Sequence, residues 1–500
     1  MTVSAPVNWG AAEAFPPGPP RTGLARRACA VWLPLLVVIG GCALQRHEPA
    51  LDTPGRAQAG LLASSPDAPE LRELLARQGI DTGRWPLAAW DAAALRALAM
   101  ALHPQARLAR VERKGALARR EAERVAARPG VWHGGELTLE RQAGGGVASP
   151  WTVGVVLELG LSERLLGVSR GAARADAADA LADEALADAA LAAWQVHRQV
   201  RDARQAWMVG AQRVDLAEAV WRARREEADA WRSRLAHGAA DAREADRARQ
   251  FELEAAQDAE AARAAERGLR GALAAAVGLG AAQAASMVLA RDDLLAPSPP
   301  LAGAGSPRWR EAALLDRLDV RAGVARYAAA DAALRLELAR QLPELVLKPG
   351  WAWDQGDRRW SLGVGLSLPA VGGNRAGIQQ ASARRDAEAA RFAVLQAQAL
   401  GELEAARAAA EAARGDLLQS QAHVAAAGGA LQRVQRRLAA GSADRLEVIE
   451  ARRGVLDAQR KVLAARAAEA AARAALEDVL QRPLEALDGP RPDLLAAGAP

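Results

Sequence analysis

Trp151-Thr-Val-Gly154-Val-Val-Leu157-Glu-Leu159 is nearly repeated by Trp360-Ser-Leu-Gly363-Val-Gly-Leu366-Ser-Leu368, 209 positions further on. Both copies alternate with period two. Trp151, Val153, Val155, Leu157, Leu159 and Leu161 fall on one side of an extended chain, and Thr152, Gly154, Val156, Glu158 and Gly160 on the other. In the second copy Trp360, Leu362, Val364, Leu366 and Leu368 oppose Ser361, Gly363, Gly365 and Ser367. Each copy follows a partner strand. Gly134 to Glu140 leads to a Gly144-Gly-Gly146 tip, and Leu345 to Trp353 leads to an Asp354-Gln-Gly-Asp357 turn. Strands of about ten residues with this alternation fit an outer-membrane crossing, apolar toward lipid and small or polar toward a lumen. Trp151, Trp351, Trp353 and Trp360 at strand ends suit an aromatic girdle. A soluble half-buried sheet would alternate too, but no other stretch of this chain could complete its core.

The long segments between and after the hairpins are Ala-rich and helical. Leu186, Ala193, Val200, Trp207, Val214, Trp221, Ala228 and Leu235 are spaced by seven, as are Leu403, Ala410, Leu417, Val424, Leu431 and Leu438. A second row, Phe392, Ala399, Ala406, Ala413, Ser420, Ala427 and Val434, accompanies the latter. These are coiled-coil seams. The first helix is expected from about Arg170 to Leu235, roughly 100 Å at about 1.5 Å per residue. Both outgoing helices end in a shared phrase. Leu235-Ala-His-Gly238-Ala-Ala-Asp241-Ala-Arg-Glu244 returns as Leu438-Ala-Ala-Gly441-Ser-Ala-Asp444-Arg-Leu-Glu447. The chain then runs back through Ile449, Leu456, Leu463 and Ala470. A repeat of about 200 residues is too long for a solenoid unit and reads as an internal duplication.

The expected organisation is a signal over 1–41, a tether over 42–85, a first repeat over 86–278 and a linker with a helix over 279–340. A second repeat follows over 341–484, and then a flexible tail over 485–500. Within the repeats, strand hairpins occupy 134–161 and 344–368, and helical hairpins 170–278 and 373–484. The stretch from Leu87 to Arg128 reads as one helix ended by Pro129-Gly130.

With 25% charged and 4% aromatic residues, the chain has few large side chains for compact cores but suits closely packed helices. Its net charge of +5 is spread as Arg alternating with Asp and Glu along helices, a solvated face rather than a nucleic-acid surface. The six histidines (His47, His103, His133, His197, His237 and His423) lack zinc-ligand spacing, and no nucleophile or phosphate-cradling motif occurs. Neither an enzyme nor a metal or cofactor site is expected. Arg21, Arg26 and Arg27 precede an apolar run from Ala28 to Ile39 that ends in Gly40-Gly41-Cys42. The run is too short to span a bilayer, and small residues stand before a cleavage point. It reads as a lipoprotein signal with Cys42 acylated, or as an ordinary secretory signal with a chance cysteine. Ala43 after the cysteine points to sorting to the outer membrane.

The whole resembles the TolC-like outer-membrane efflux family over about residues 85–484. The resemblance is carried by Leu98-Ala-Met-Ala-Leu-His-Pro104-Gln, by Leu318-Asp-Val-Arg-Ala leading to Pro343-Glu-Leu-Val-Leu, and by Trp360 to Pro369. Leu438-x-x-Gly441 followed by Leu446-Glu-Val-Ile-Glu450-Ala-Arg452 completes it. It implies a mainly α fold with a small β part. In a homotrimer each protomer would give four strands to a twelve-stranded barrel continued by a helical periplasmic tunnel. It also implies a periplasmic adaptor and an inner-membrane pump as partners, outer-membrane lipid around the barrel, and no nucleic acid. The role would be a passive exit duct for tripartite efflux or type I secretion of small molecules or metal cations. The family's aperture carboxylates fall by position on Glu244, Glu447 and Glu450. Its latching Tyr and Arg are absent, with Leu438 and Ala443 standing there instead. Leu235, Gly238, Asp241, Leu438, Gly441 and Asp444, at the paired ends of the hairpins, are the expected adaptor-docking residues. The alternative of another class is a lipid-anchored periplasmic coiled-coil scaffold without a pore, which would have no need of lipid-facing strands.

Cys42→Ala is expected to slow processing and weaken anchoring without abolishing membrane insertion. Metabolic palmitate labelling checks this, and an unlabelled wild type would refute acylation.

Overall fold

Alanine is the best helix former and occupies little volume, so Ala-rich segments give long helices that approach closely. In a computed structural model, residues 65–77, 79–127, 134–141, 151–160, 170–291, 307–342, 344–354, 357–367, 373–484 and 494 are described. Cys42 with its signal, the tether up to residue 64, Leu161, Leu368 and the glycine tip at 144–146 lie outside them. The helices are α1 (Pro69–Arg77), α2 (Ala92–Leu102), α3 (Pro104–Ala127), α4 (Arg170–Ala236) and α5 (Ala242–Val277) in the first half. In the second half come α6 (Pro307–Glu311), a π-helical turn (Ala312–Asp316), α7 (Leu318–Ala339), α8 (Arg375–Ala439) and α9 (Arg445–Leu480). The strands are β1 (Gly134–Arg141), β2 (Trp151–Gly160), β3 (Glu344–Asp354) and β4 (Asp357–Ser367). Among the described residues no helix is long and apolar enough to cross a membrane, a statement that concerns helices alone.

The 67-residue α4 is the spine: it packs against α2, α3, α5, α7 and α9. Of its expected seam, Ala193, Val200, Trp207 and Ala228 are buried. Trp207 also donates from Nε1 to Glu266 of α5 at 2.7 Å, so its polar atom is satisfied. One core cluster joins Trp90, Leu95, Leu98 and Met100 to Val196 and Val200 of α4 and Leu273 and Val277 of α5. A second joins Trp309 and Ala313 to Leu403, Ala410, Leu476 and Leu480. His197 is buried beside Trp194, ring centroids 4.9 Å apart. Burial, with Arg96 and Arg201 nearby, pushes its pKa down to about 4, so it packs as a neutral ring.

Two expectations need correction. The helix expected from Leu87 to Arg128 is two, broken at His103-Pro104. Proline excludes the helical conformation for the residue before it and starts a helix well at its first position. His103 accordingly is extended, with ψ 129°. The break packs against the end of α5, where Gly278 turns the chain at φ +90°. A Cβ on Gly278 would stand 2.9 Å from the Cα of His103, a close approach that only glycine permits. Second, Leu494 of the expected flexible tail packs against the first core cluster. The tether gains order against the body, where α1 buries Leu71 and Leu75 in the same cluster.

The sheet is antiparallel in the order β1-β2-β3-β4, so β2 and β3 join the two repeats directly. β4 begins at Asp357, three residues before Trp360, and Asp354 pairs with Asp357 across a two-residue connection. The register places Leu137, Val155, Trp351 and Trp360 in one row across all four strands. The opposite face has the rows Thr138, Gly154, Ala352, Arg359 and Glu136, Val156, Gly350, Ser361. On the apolar face Leu137, Leu139, Trp360, Leu362, Val364 and Leu366 are all exposed, from 58 to 81%. No soluble core covers them.

Candidate functional site

Each outgoing helix ends where glycine takes a left-handed conformation, Gly238 at φ +68° and Gly441 at φ +71°. A side chain there would be strained, although the space around both is open. Asp241 and Asp444 then cap the returning helices in matching capping boxes. Asp444 accepts from the backbone N–H of Glu447 at 3.1 Å, and Glu447 accepts from the N–H of Asp444 at 3.2 Å. Asp241 and Glu244 are paired likewise, the Asp241 N–H donating to Glu244 at 3.4 Å. Two of the three expected aperture carboxylates therefore also hold their helix ends. Glu450, one turn further along α9, is exposed. Leu235 and Leu438 lie exposed at the ends of α4 and α8.

The structure brings the two tips together through charges that sequence reasoning did not identify. Arg234 of α4 donates to Asp444 at 2.8 Å. Glu226 takes Arg445 at 3.0 Å and Arg452 at 2.9 Å, while Glu227 takes Arg453 and Arg224, each at 3.1 Å. Arg437 pairs with Glu447 at 3.1 Å. The doublets Glu226-Glu227 and Arg452-Arg453 were the available signal, complementary in charge and each lying near its own hairpin turn. Single exposed pairs contribute roughly 0–1 kcal/mol, but a shared network with partly buried members holds geometry better. Its most enclosed part is the trio of Glu227, Arg224 and Arg453. The hydrogen bond from Arg234 holds the Asp444 carboxyl below its usual pKa, against the smaller opposing effect of burial.

The polar face of the sheet is lined by small residues, with Gly154, Gly350, Gly363 and Gly365 among them. A sheet apolar outside and polar inside, continued by paired helical hairpins about 100 Å long, defines an outer-membrane channel protein with a tubular periplasmic extension. Residues 309–481 match the outer membrane efflux protein family. Among curated proteins no sequence match is found. Solved structures share the fold. The outer membrane protein VceC of Vibrio cholerae is 20% identical, with TM-score 0.61 over 78% of this chain and 96% of VceC. The MtrE outer membrane channel of Neisseria gonorrhoeae is 21% identical, with TM-score 0.58 over 77% and 88%. The CmeC outer membrane channel of Campylobacter jejuni is 14% identical, with TM-score 0.61 over 89% and 91%. Residues 309–481 are thus similar to the outer membrane efflux proteins, and most of the chain shares the fold of outer membrane channels.

Asp444→Ala removes a helix cap, worth about 1 kcal/mol, together with the partner of Arg234. It is expected to fray the start of α9, read as faster amide exchange over residues 445–449. Because the folded-state pKa of Asp444 is depressed, its contribution is present above the ordinary carboxylate range. That contribution is lost as pH falls through the lowered value. Exchange in the wild type should therefore approach that of the variant only in acid, and equal rates at neutral pH would refute the role.

Proposed function

We propose that three copies of this chain close one twelve-stranded barrel and serve as the exit duct of a tripartite efflux or type I secretion system, passing small molecules or metal cations. The observation that carries this is the sheet: among the described residues β1 and β4 each pair on one side only. Lipid offers no partner for backbone N–H and C=O groups, so an open edge in hydrocarbon demands further strands. Leu253, Val394 and Leu418 on the helical hairpins are likewise exposed in one protomer and suit burial against a neighbour. The apolar face of the sheet argues against a poreless scaffold.

In this reading Glu244, Glu447 and Glu450 ring the periplasmic aperture, and the Arg–carboxylate clasp between the tips takes the place of the missing Tyr and Arg latch. Glutamine can replace glutamate in a capping box, so Glu447→Gln removes charge while keeping the helix end. Glu447→Gln with Glu450→Gln should lower cation selectivity in planar bilayers more than either change alone. The effect should shrink at 1 M salt, where the Debye length is about 3 Å. Unchanged selectivity in the double variant would leave these residues as caps and solvated side chains. A full chain that is monomeric, freely soluble without its lipid and non-conducting would overturn the channel reading itself.

The adaptor is placed at the two tips, on Leu235, Gly238 and Asp241 and on Leu438, Gly441 and Asp444, six sockets per trimer. Bulky substitution of Gly238 or Gly441 should abolish efflux while trimer and insertion persist. Cross-links to the adaptor that map only to the strands or to residues 282–340 would exclude this placement.

A further inference from the structure

Lys348 of β3 forms an ion pair with Glu158 of β2 on the polar face of the sheet. Both side chains are partly exposed, 43% and 39%. The pair stands at an interruption in the seam between the two repeats. The β2–β3 register runs from Thr152 opposite Asp354 to Val156 opposite Gly350, then resumes at Leu159 opposite Leu347. Pro349 lies in that gap and has no N–H to give. On its other side Lys348 runs along two glycines of β4. A Cβ on Gly363 would meet the lysine Cβ at 3.4 Å, and one on Gly365 its Cε at 3.6 Å. The lysine stem thus lies flat on the wall, and its charge is met within the wall.

We propose that Lys348 and Glu158 form a charge-balanced collar on the lumen wall that adds no sign preference of its own and so leaves ion selection to the periplasmic aperture. The proposal rests on the barrel reading above, which sets three copies of the pair at one height. A ring of like charges in a narrow aqueous passage selects ions by their sign. Pairing each lysine with a glutamate at contact distance cancels that field. Glu136 and Glu140 of β1 share this face on rows nearer the strand connections, so the collar separates them from the tunnel side. A break in the backbone ladder would be closed equally well by a neutral hydrogen-bonding pair. The use of full charges is what ties the seam to conduction.

The test is the reversal potential of the full chain in planar bilayers under a potassium chloride gradient. Lys348→Met leaves Glu158 unmatched and should raise the cation-to-anion permeability ratio. Glu158→Gln leaves Lys348 unmatched and should lower it. A potential of about one kT at the collar changes that ratio about seven-fold, so shifts of several-fold in opposite directions are expected. The exchange Glu158→Lys with Lys348→Glu restores the pair and should restore the wild-type value. Conducting single variants with unmoved reversal potentials, or shifts of the same sign, overturn the collar. So does insertion of the exchange variant alone, which would make the pair a fold staple. A wild type that does not conduct overturns the barrel instead.

Discussion

A backbone amide in hydrocarbon has no water to bond, and the form of this molecule follows from that constraint. A sheet of four strands that presents Leu137, Trp360, Leu362 and Val364 outward can be stable in a membrane only if its two edges are closed. The duplication supplies half of the answer inside one chain. β2 of the first repeat pairs with β3 of the second, so one internal edge of each hairpin is already closed. The seam has a weak point at Pro349, and the Glu158–Lys348 pair bridges it. What remains open is one edge on β1 and one on β4, and in hydrocarbon these call for further strands.

Repetition of the sheet would be useless if the helices below it did not keep the same spacing. α4 enforces that spacing by touching helices of both repeats. Near the strands, Arg120 and Arg124 of α3 bind Asp179 of α4 at 3.0 and 2.8 Å. Midway, Arg201 of α4 binds Glu477 and Asp478 of α9 at 2.9 and 3.0 Å. At the tip, Glu226, Glu227 and Arg234 bind the start of α9. The spine is thus fixed to its neighbours at intervals by arginine forks, while alanine rows set the distance between axes. Alanine alone specifies spacing but little register, because its side chain has no shape to interlock. The directional arginine–carboxylate contacts supply the register.

Much of this was legible in the sequence because it depends on periodicity. Period two over Trp151 to Leu159 and Trp360 to Leu368 predicts the faces of the sheet. Spacing by seven picks out part of the buried seam, Ala193, Val200, Trp207 and Ala228 of α4 and Leu403, Ala410 and Leu417 of α8, while Leu235 and Leu438 of the same rows are exposed. The glycine turns stand at equal places in the two copies, so duplication reveals them, though it does not reveal that Asp241 and Asp444 cap the returning helices. Less legible was whatever depends on contacts between distant segments. The pairing of β2 with β3, the close approach of Gly278 to His103 and the meeting of Glu227 with Arg453 carry no local period. The break at His103-Pro104 was available from proline stereochemistry, but the continuous apolar pattern around it hid the consequence. At the tips, positional carry-over singles out Glu244 and Glu447 as aperture residues, but does not show that their carboxylates return to the backbone. A carboxylate three residues after Asp is as much a cap as a pore lining.

That double duty bears on how the tips can move. Leu438 and Ala443 at the second tip have apolar side chains and can form no polar link. The cohesion between tips rests instead on long arginines that reach carboxylates from several residues away. Such contacts tolerate small sliding of one hairpin along the other, since Arg445 and Arg452 share Glu226 and could exchange partners without losing charge balance. Asp444 and Glu447 have no such freedom, being tied to their own helix end. Motion of the second hairpin against the first would therefore carry α9 and its cap as a unit. The separating surfaces would be the arginine contacts of α4, and the glutamates beyond the turn would move with the helix that displays them.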